Sequence, residues 1–210
     1  MFSRKDLVKL LIPLIIEQLL AVTIGIADTV MIASCGEAAV SGISLVDTIN
    51  VLLINVFSAL ATGGAVVVAQ HLGNRDAHAA SRSAKQLFLA SAFVASLLAV
   101  IALSANRHLL GLVFGSIEAD VMDNAVIYFT LSAISYPFLA VYNAGAALFR
   151  SMGNSKISMY TSVLMNIINV AGNAITIYGL HWGTAGAGTA SLLARAAGAV
   201  IMFVLLLKPE

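Results

Sequence analysis

The chain has 210 residues, of which 60% are hydrophobic and only 10% charged, with 11 Lys and Arg against 10 Asp and Glu. Mean hydropathy is +0.97. A soluble globule of this size needs a polar shell that these residues cannot build, so the composition points to an integral membrane protein. The near-neutral balance supplies no basic excess for a run of phosphates, which argues against nucleic acid as a partner. Cys35 is the single cysteine and has no internal disulfide partner. Scattered histidines, no Gly-rich phosphate loop and no nucleophile elbow argue against an enzyme, a metal centre or an organic cofactor.

A membrane helix needs ~20 mostly apolar residues. Six such stretches follow one another at about 7–32, 43–70, 84–104, 122–149, 156–179 and 185–207. They predict an all-α, polytopic fold in a single domain.

The first span carries Pro13 near its start, then Glu17, Gln18 and Asp28. It is too long and too polar for a cleaved signal peptide. Ser34-Cys35-Gly36-Glu37 closes it. The second opens with Asp47 and Asn50, three apart on one face, and ends at Gly73-Asn74-Arg75-Asp76. Asp47 lies close to the outer end, where a cap or a solvated position is the simplest reading. A long connection punctuated by Gly111 and Gly115 follows the third span. The fourth holds Tyr136, Pro137 and Asn143. Pro137 interrupts the backbone ladder and predicts a kink. Tyr136 and Asn143, seven apart, share a face and are expected to line one cavity. The turn Ser151-Met152-Gly153-Asn154-Ser155 leads into the fifth span. There Asn166, Asn169, Asn173 and Thr176 recur at i, i+3, i+7 and i+10, which makes one polar stripe. A Gly-rich link over 179–188 precedes the sixth span, where Ala190, Ala194 and Gly198 permit close helix approach and Arg195 sits near the midplane.

Positive charge fixes the expected orientation. With the N-terminus inside, Arg4, Lys5, Lys9, Arg75, Arg82, Lys85, Arg150, Lys156 and Lys208 are all internal, and Arg107 alone is external. Both termini are therefore expected on the cytoplasmic side of the plasma (inner) membrane.

Charges inside spans are expensive and mark function. Glu17 and Asp28 are eleven residues apart, so they share a helix face ~16 Å apart along the axis. A carboxylate there can carry a proton or coordinate a sodium ion with nearby oxygens. The matching depth of Glu17 and Arg195 suggests an ion pair. The stripe on the fifth span serves either as interhelical glue or as a lining that works with Asp28.

Several segments, in order, resemble the multidrug and toxic compound extrusion (MATE) family. They are Pro13-Leu14-Ile15-Ile16-Glu17-Gln18 and Ala27-Asp28-Thr29-Val30-Met31, then Ser58-Ala59-Leu60-Ala61-Thr62-Gly63-Gly64-Ala65 and Ala69-Gln70-His71-Leu72-Gly73. Phe149-Arg150-Ser151-Met152-Gly153-Asn154, the stripe from Asn166 and Gly183-Thr184-Ala185-Gly186-Ala187-Gly188 complete the set. The resemblance covers the whole chain as an N-terminal six-helix lobe. It implies a secondary-active exporter of two such lobes around a central cavity, exchanging sodium or protons for cationic or amphipathic compounds. Asp28 matches the family's helix-one carboxylate, implicated in coupling, and Asn169 a nearby asparagine. Asn173 stands where one branch of the family has aspartate, so a carboxylate is missing and Asp28 is left as the principal titrating group.

The expectation from sequence is thus a cation-coupled antiporter lobe with Asp28, Asn169 and Asn173 at the coupling site. Glu17, Gln18, Asp47, Asn50, Tyr136, Asn143, Asn166, Thr176 and Arg195 line or support it. The second lobe belongs to the same product or, as a lesser alternative, to a homodimer partner. A lipid-linked oligosaccharide flippase of the same superfamily would need a groove rich in Arg and Lys. A passive channel or structural protein would ignore ion gradients.

Overall fold

The computed structural model describes residues 4–207, which form helices joined by short turns. In chain order they are α1 (Arg4–Ala33), α2 (Glu37–Gly73), α3 (Ala77–Ser104), α4 (Asn106–Phe114), α5 (Ala119–Ser151), α6 (Ser155–Asn173, continued by a π-helical turn over Ala174–Gly179) and α7 (Gly183–Leu207). All but α4 are long and apolar enough to cross a bilayer. The chain is an integral membrane protein with a six-helix lobe.

The helices outrun their apolar stretches. α2 begins at Glu37, six residues before 43, and α3 at Ala77, seven before 84. Alanine-rich sequence propagates helix without needing lipid. At α3 the Asp76 carboxylate also accepts from the Ala79 amide at 2.9 Å, which caps the first turn. Pro13 consequently lies in the interior of α1 rather than at its start, and its side chain is buried.

α2 and α5 end in the same way. In each, one amide bonds back three residues and the next bonds back five: Arg75 to Leu72 and Asp76 to His71, Gly153 to Arg150 and Asn154 to Phe149. This termination needs a left-handed residue. Gly153 supplies it at φ +82°, and Arg75 adopts it at φ +60° despite its side chain.

The long third connection is mostly the short helix α4, and Gly111 is inside it. Asn106-Arg107-His108-Leu109-Leu110-Gly111-Leu112-Val113-Phe114 is too short for a span but buries Leu110 completely. Arg107 on α4 and Asp123 on α5 form an exposed ion pair at 3.0 Å. The expected Gly-rich link shrinks to residues 180–182. Gly186 and Gly188 are buried within α7, where side-chain carbons would collide with Thr176 and Leu131. Those glycines serve helix packing, not a turn.

α5 is the hub. It packs against α2, α3 and α7, and more than half of its most apolar stretch is buried. At Gly42 the backbones of α2 and α5 come so close that an added Cβ would stand 2.8 Å from both Ala125 N and Val121 O. Phe57 of α2 packs on Tyr136 of α5 with ring centroids 6.1 Å apart. Ala190 and Gly198 do bring α7 onto α6, against Gly172 and Met165. α1 is the loosest helix. It rests mainly on α6, and most of its apolar side chains face outward.

Candidate functional site

Polar side chains gather between α1, α2, α6 and α7, at the end of the lobe that holds the α1–α2 turn. A cavity of about 130 Å³ there is lined by Asp28 and Thr29 of α1, Ser44 and Asp47 of α2, Tyr128 of α5, Asn173 of α6 and Ser191 of α7, among others. Asp28 is its centre. The Asn173 amide donates to Asp28 Oδ1 at 2.8 Å. The Asn169 amide, with its nitrogen toward Asp28, donates to Oδ2 at 2.8 Å while its oxygen accepts from Ser191 at 3.0 Å. One helical turn separates the two asparagines, so both reach the same carboxylate. Gly172, between them, brings α6 against Ala190 of α7 and so sets Ser191 beside Asn169.

Among the described residues the cavity lining has two carboxylates and no Lys or Arg, while Arg195 of α7 lies outside the lining but near enough to act on Asp47. The cavity also holds an acceptor without a donor. Asn173 Oδ1 is buried and has no hydrogen-bond partner. Buried acceptors normally find donors, so an orphan beside a carboxylate suits a cation.

Asp47 is neither a cap nor a solvated end group. α2 begins ten residues earlier, which draws Asp47 down the helix and into the Asp28 cavity. The second carboxylate missing at Asn173 is therefore present, contributed by α2.

Asn50 ties Asp47 to the hub. Its amide nitrogen donates to Asp47 Oδ1 at 3.1 Å and to Ser132 Oγ at 3.3 Å, and its oxygen accepts from the Tyr136 hydroxyl at 3.0 Å. Tyr136 is completely buried in this contact. The Asn143 and Asn166 amide nitrogens are both buried without partners. Thr176 lies in the π-helical turn, packs against Gly186 and bonds to Gly172 O, so it serves the α6–α7 contact. Gln18 is exposed on α1.

The expected Glu17–Arg195 pair does not form. Arg195 donates to Ser135 Oγ on α5 at 2.6 Å. Glu17 accepts instead from Ser158 of α6 at 2.9 Å and from Tyr142 of α5 at 3.4 Å. Glu17 meets α5 at Tyr142 and Arg195 meets it at Ser135, about 10 Å apart along that helix, so the two charges do not share a level.

The MatE family profile matches residues 13–175, from Pro13 of α1 through the polar stripe of α6. The chain belongs to the MatE family. Among curated MatE relatives, it is 30% identical over 200 residues to the uncharacterized transporter YisQ of Bacillus subtilis, covering 93% of this chain and 44% of YisQ. It is 28% identical over 216 residues to the probable multidrug resistance protein NorM of Thermotoga maritima, covering 99% and 45%. Against NorM of Chromobacterium violaceum the identity is 32% over 198 residues, covering 89% and 41%. The chain thus spans less than half the length of these relatives.

Solved structures share the fold. A MOP superfamily transporter from Pyrococcus furiosus superposes with a TM-score of 0.90 at 22% identity, covering 97% of this chain and 44% of that one. A MATE transporter in an outward-facing conformation does so with the same TM-score and identity, covering 97% and 45%. The six-helix lobe described above is therefore a MatE-type lobe.

Proposed function

We propose that this chain is one half of a cation-coupled exporter of cationic or amphipathic compounds, with Asp28 as the coupling group. The observation that carries the reading is the meeting of Asp28, Asn173 and Asn169 at a cavity whose described lining holds a second carboxylate and no basic residue. Two carboxylates in a membrane span favour bound positive charge. The amides hold Asp28 in place, while Asn173 Oδ1, Ser191 and Ser44 offer further oxygens to sodium, or a proton binds Asp28 itself. Occupancy shifts the balance between outward- and inward-open states only if the two states differ in affinity for the ion. A site that joins α1 to α6 and α7 provides that difference when α1 moves.

The names of the NorM relatives favour drugs and other amphipathic compounds as cargo. A second six-helix lobe completes the cavity, either in the same product or in a homodimer. With the N-terminus cytoplasmic, the Asp28 cavity lies in the outer half of the plasma membrane. A flippase for a lipid-linked pyrophosphate is disfavoured by the acidic lining.

The test is uptake of a fluorescent cationic dye into everted membrane vesicles bearing the protein in the form its genome encodes, driven by an imposed sodium or proton gradient. Asp28→Asn should abolish gradient-dependent uptake at an unchanged membrane level of protein. Undiminished uptake in that variant would refute the coupling role. Uptake by the unaltered protein that ignores both gradients would favour a passive channel.

A further inference from the structure

Glu17 lies eleven residues from Asp28, about 16 Å along α1, and is outside the Asp28 cavity. Both its oxygens are engaged, Oε2 by the Ser158 hydroxyl and Oε1 by the Tyr142 hydroxyl. The three side chains come from α1, α5 and α6. Among the described residues no Lys or Arg lies within ion-pair distance of Glu17, and Arg195 is engaged by Ser135. Of the titratable and charged groups on α5 and α6, Tyr142 and Arg150 of α5 act on the cluster, Lys156 and Tyr160 of α6 flank Ser158, and Asp120, Asp123, Tyr128 and Tyr136 of α5 lie further toward its start. Lys156 and Tyr160 are exposed.

Hydroxyls are donors and acceptors at once. Ser158 has a second acceptor for its proton, the Ser155 carbonyl at 3.3 Å. It can turn away from Glu17 and present a lone pair instead. Ser162 of α6 also reaches the Tyr142 hydroxyl. The geometry therefore allows the cluster two states. In one, hydroxyls donate to a bare carboxylate. In the other, the same oxygens surround a cation or a protonated Glu17. An oxygen-only donor set suits a hard cation, and a single carboxylate balances a single positive charge.

We propose that Glu17, Ser158 and Tyr142 form a second monovalent-cation site, taking sodium or a proton, at a different depth from Asp28. The site stands on its own geometry and does not require the Asp28 reading. It gives the lobe two positions at which one helix, α1, exchanges hydroxyl or amide partners on α6 for an ion.

Infrared difference spectroscopy of the purified natural product tests this. Buffer is exchanged between sodium and choline, then between acidic and neutral. Two carboxyl signals are expected. Glu17→Gln should remove one and Asp28→Asn the other, and the exchange that evokes the Glu17 signal names its ion. A full set of signals in Glu17→Gln would overturn the proposal. Ser158→Ala keeps the carboxylate and serves if Glu17→Gln does not fold. It should move the midpoint of the Glu17 signal about tenfold in ion concentration, the effect of losing one hydrogen bond to a charged group. An unmoved midpoint would also overturn the proposal. If Asp28→Asn alone leaves its signals intact, the coupling role of Asp28 fails while the Glu17 result stands.

Discussion

Asn173 Nδ2 and Asp28 Oδ1 stand 2.8 Å apart across 145 positions of sequence. The bond joins the least packed helix of the lobe to the polar stripe of α6. On the proposed function, it is the contact through which an ion at Asp28 would sense where α1 is. Asn173→Ala and Asn169→Ala each remove one donor to the carboxylate. Each donor stabilises the bare carboxylate, so each loss should tighten proton binding at Asp28 by about tenfold or more, because a hydrogen bond to a charged group contributes about 1.5–3 kcal/mol. Proton uptake in unbuffered solution measures it. Affinities unchanged in both variants would remove the asparagines from the site.

Two glycines separate rigid from yielding contacts. At Gly42 a Cβ meets the backbone of α5 at 2.8 Å, which cannot retreat without moving the helix. At Gly198 it meets the thioether end of Met165, which can change rotamer. Gly42→Ala should cost about 1–3 kcal/mol, the range of overpacking, and Gly198→Ala much less. Thermal unfolding in detergent, followed by gel filtration, ranks them. Equal melting temperatures would contradict the difference.

Asn50 uses its amide nitrogen twice and its oxygen once. Tyr136→Phe strands the oxygen and should cost about 1–3 kcal/mol. Asn50→Ala strands Tyr136, Ser132 and Asp47 together and should cost more. In a double-mutant cycle the pair should couple by at least about 0.5 kcal/mol. Additive losses would mean that the Tyr136–Asn50 bond is not made in the membrane.

Arg75 occupies a left-handed position that Gly153 fills at the equivalent turn. Arg75→Gly should stabilise the protein, and Gly153→Ala should destabilise it, each by about 1 kcal/mol. The sign of the two melting shifts is the measurement. A fall in melting temperature for Arg75→Gly would show that the guanidinium gives more than the backbone loses.

The six spans were legible because lipid imposes length and apolarity on any helix that crosses it. Their ends were not. Glu37 and Ala77 start helices in sequence that hydropathy alone does not mark, and α4 is too short to register as a span. Asp47 was misplaced for the same reason, since its depth was counted from residue 43 and not from Glu37. The meeting of Asp28 with Asn169 and Asn173 followed from helical periodicity together with the family resemblance. The partners of Glu17 did not, because hydroxyls leave no charge to match. Ser158 and Tyr142 looked like any other Ser and Tyr until three helices were packed. Sequence arithmetic located the spans but misjudged both the height of Asp47 and Arg195 and the azimuth of the partners of Glu17.

α5 has a further consequence for how the protein is made. Its neighbours bury more than half of its apolar stretch, and it carries Ser132, Ser135, Tyr136 and Asn143 along its length. Its apolar stretch is less hydropathic than those of α2 and α3, which are synthesised before it. A nascent α5 therefore leaves the insertion machinery as a poor solute of lipid and a good solute of protein. Its insertion should therefore be helped by α2 and α3, against which it packs, and damage to the α2 face around Gly42 and Asn50 should lower the inserted fraction of a different helix.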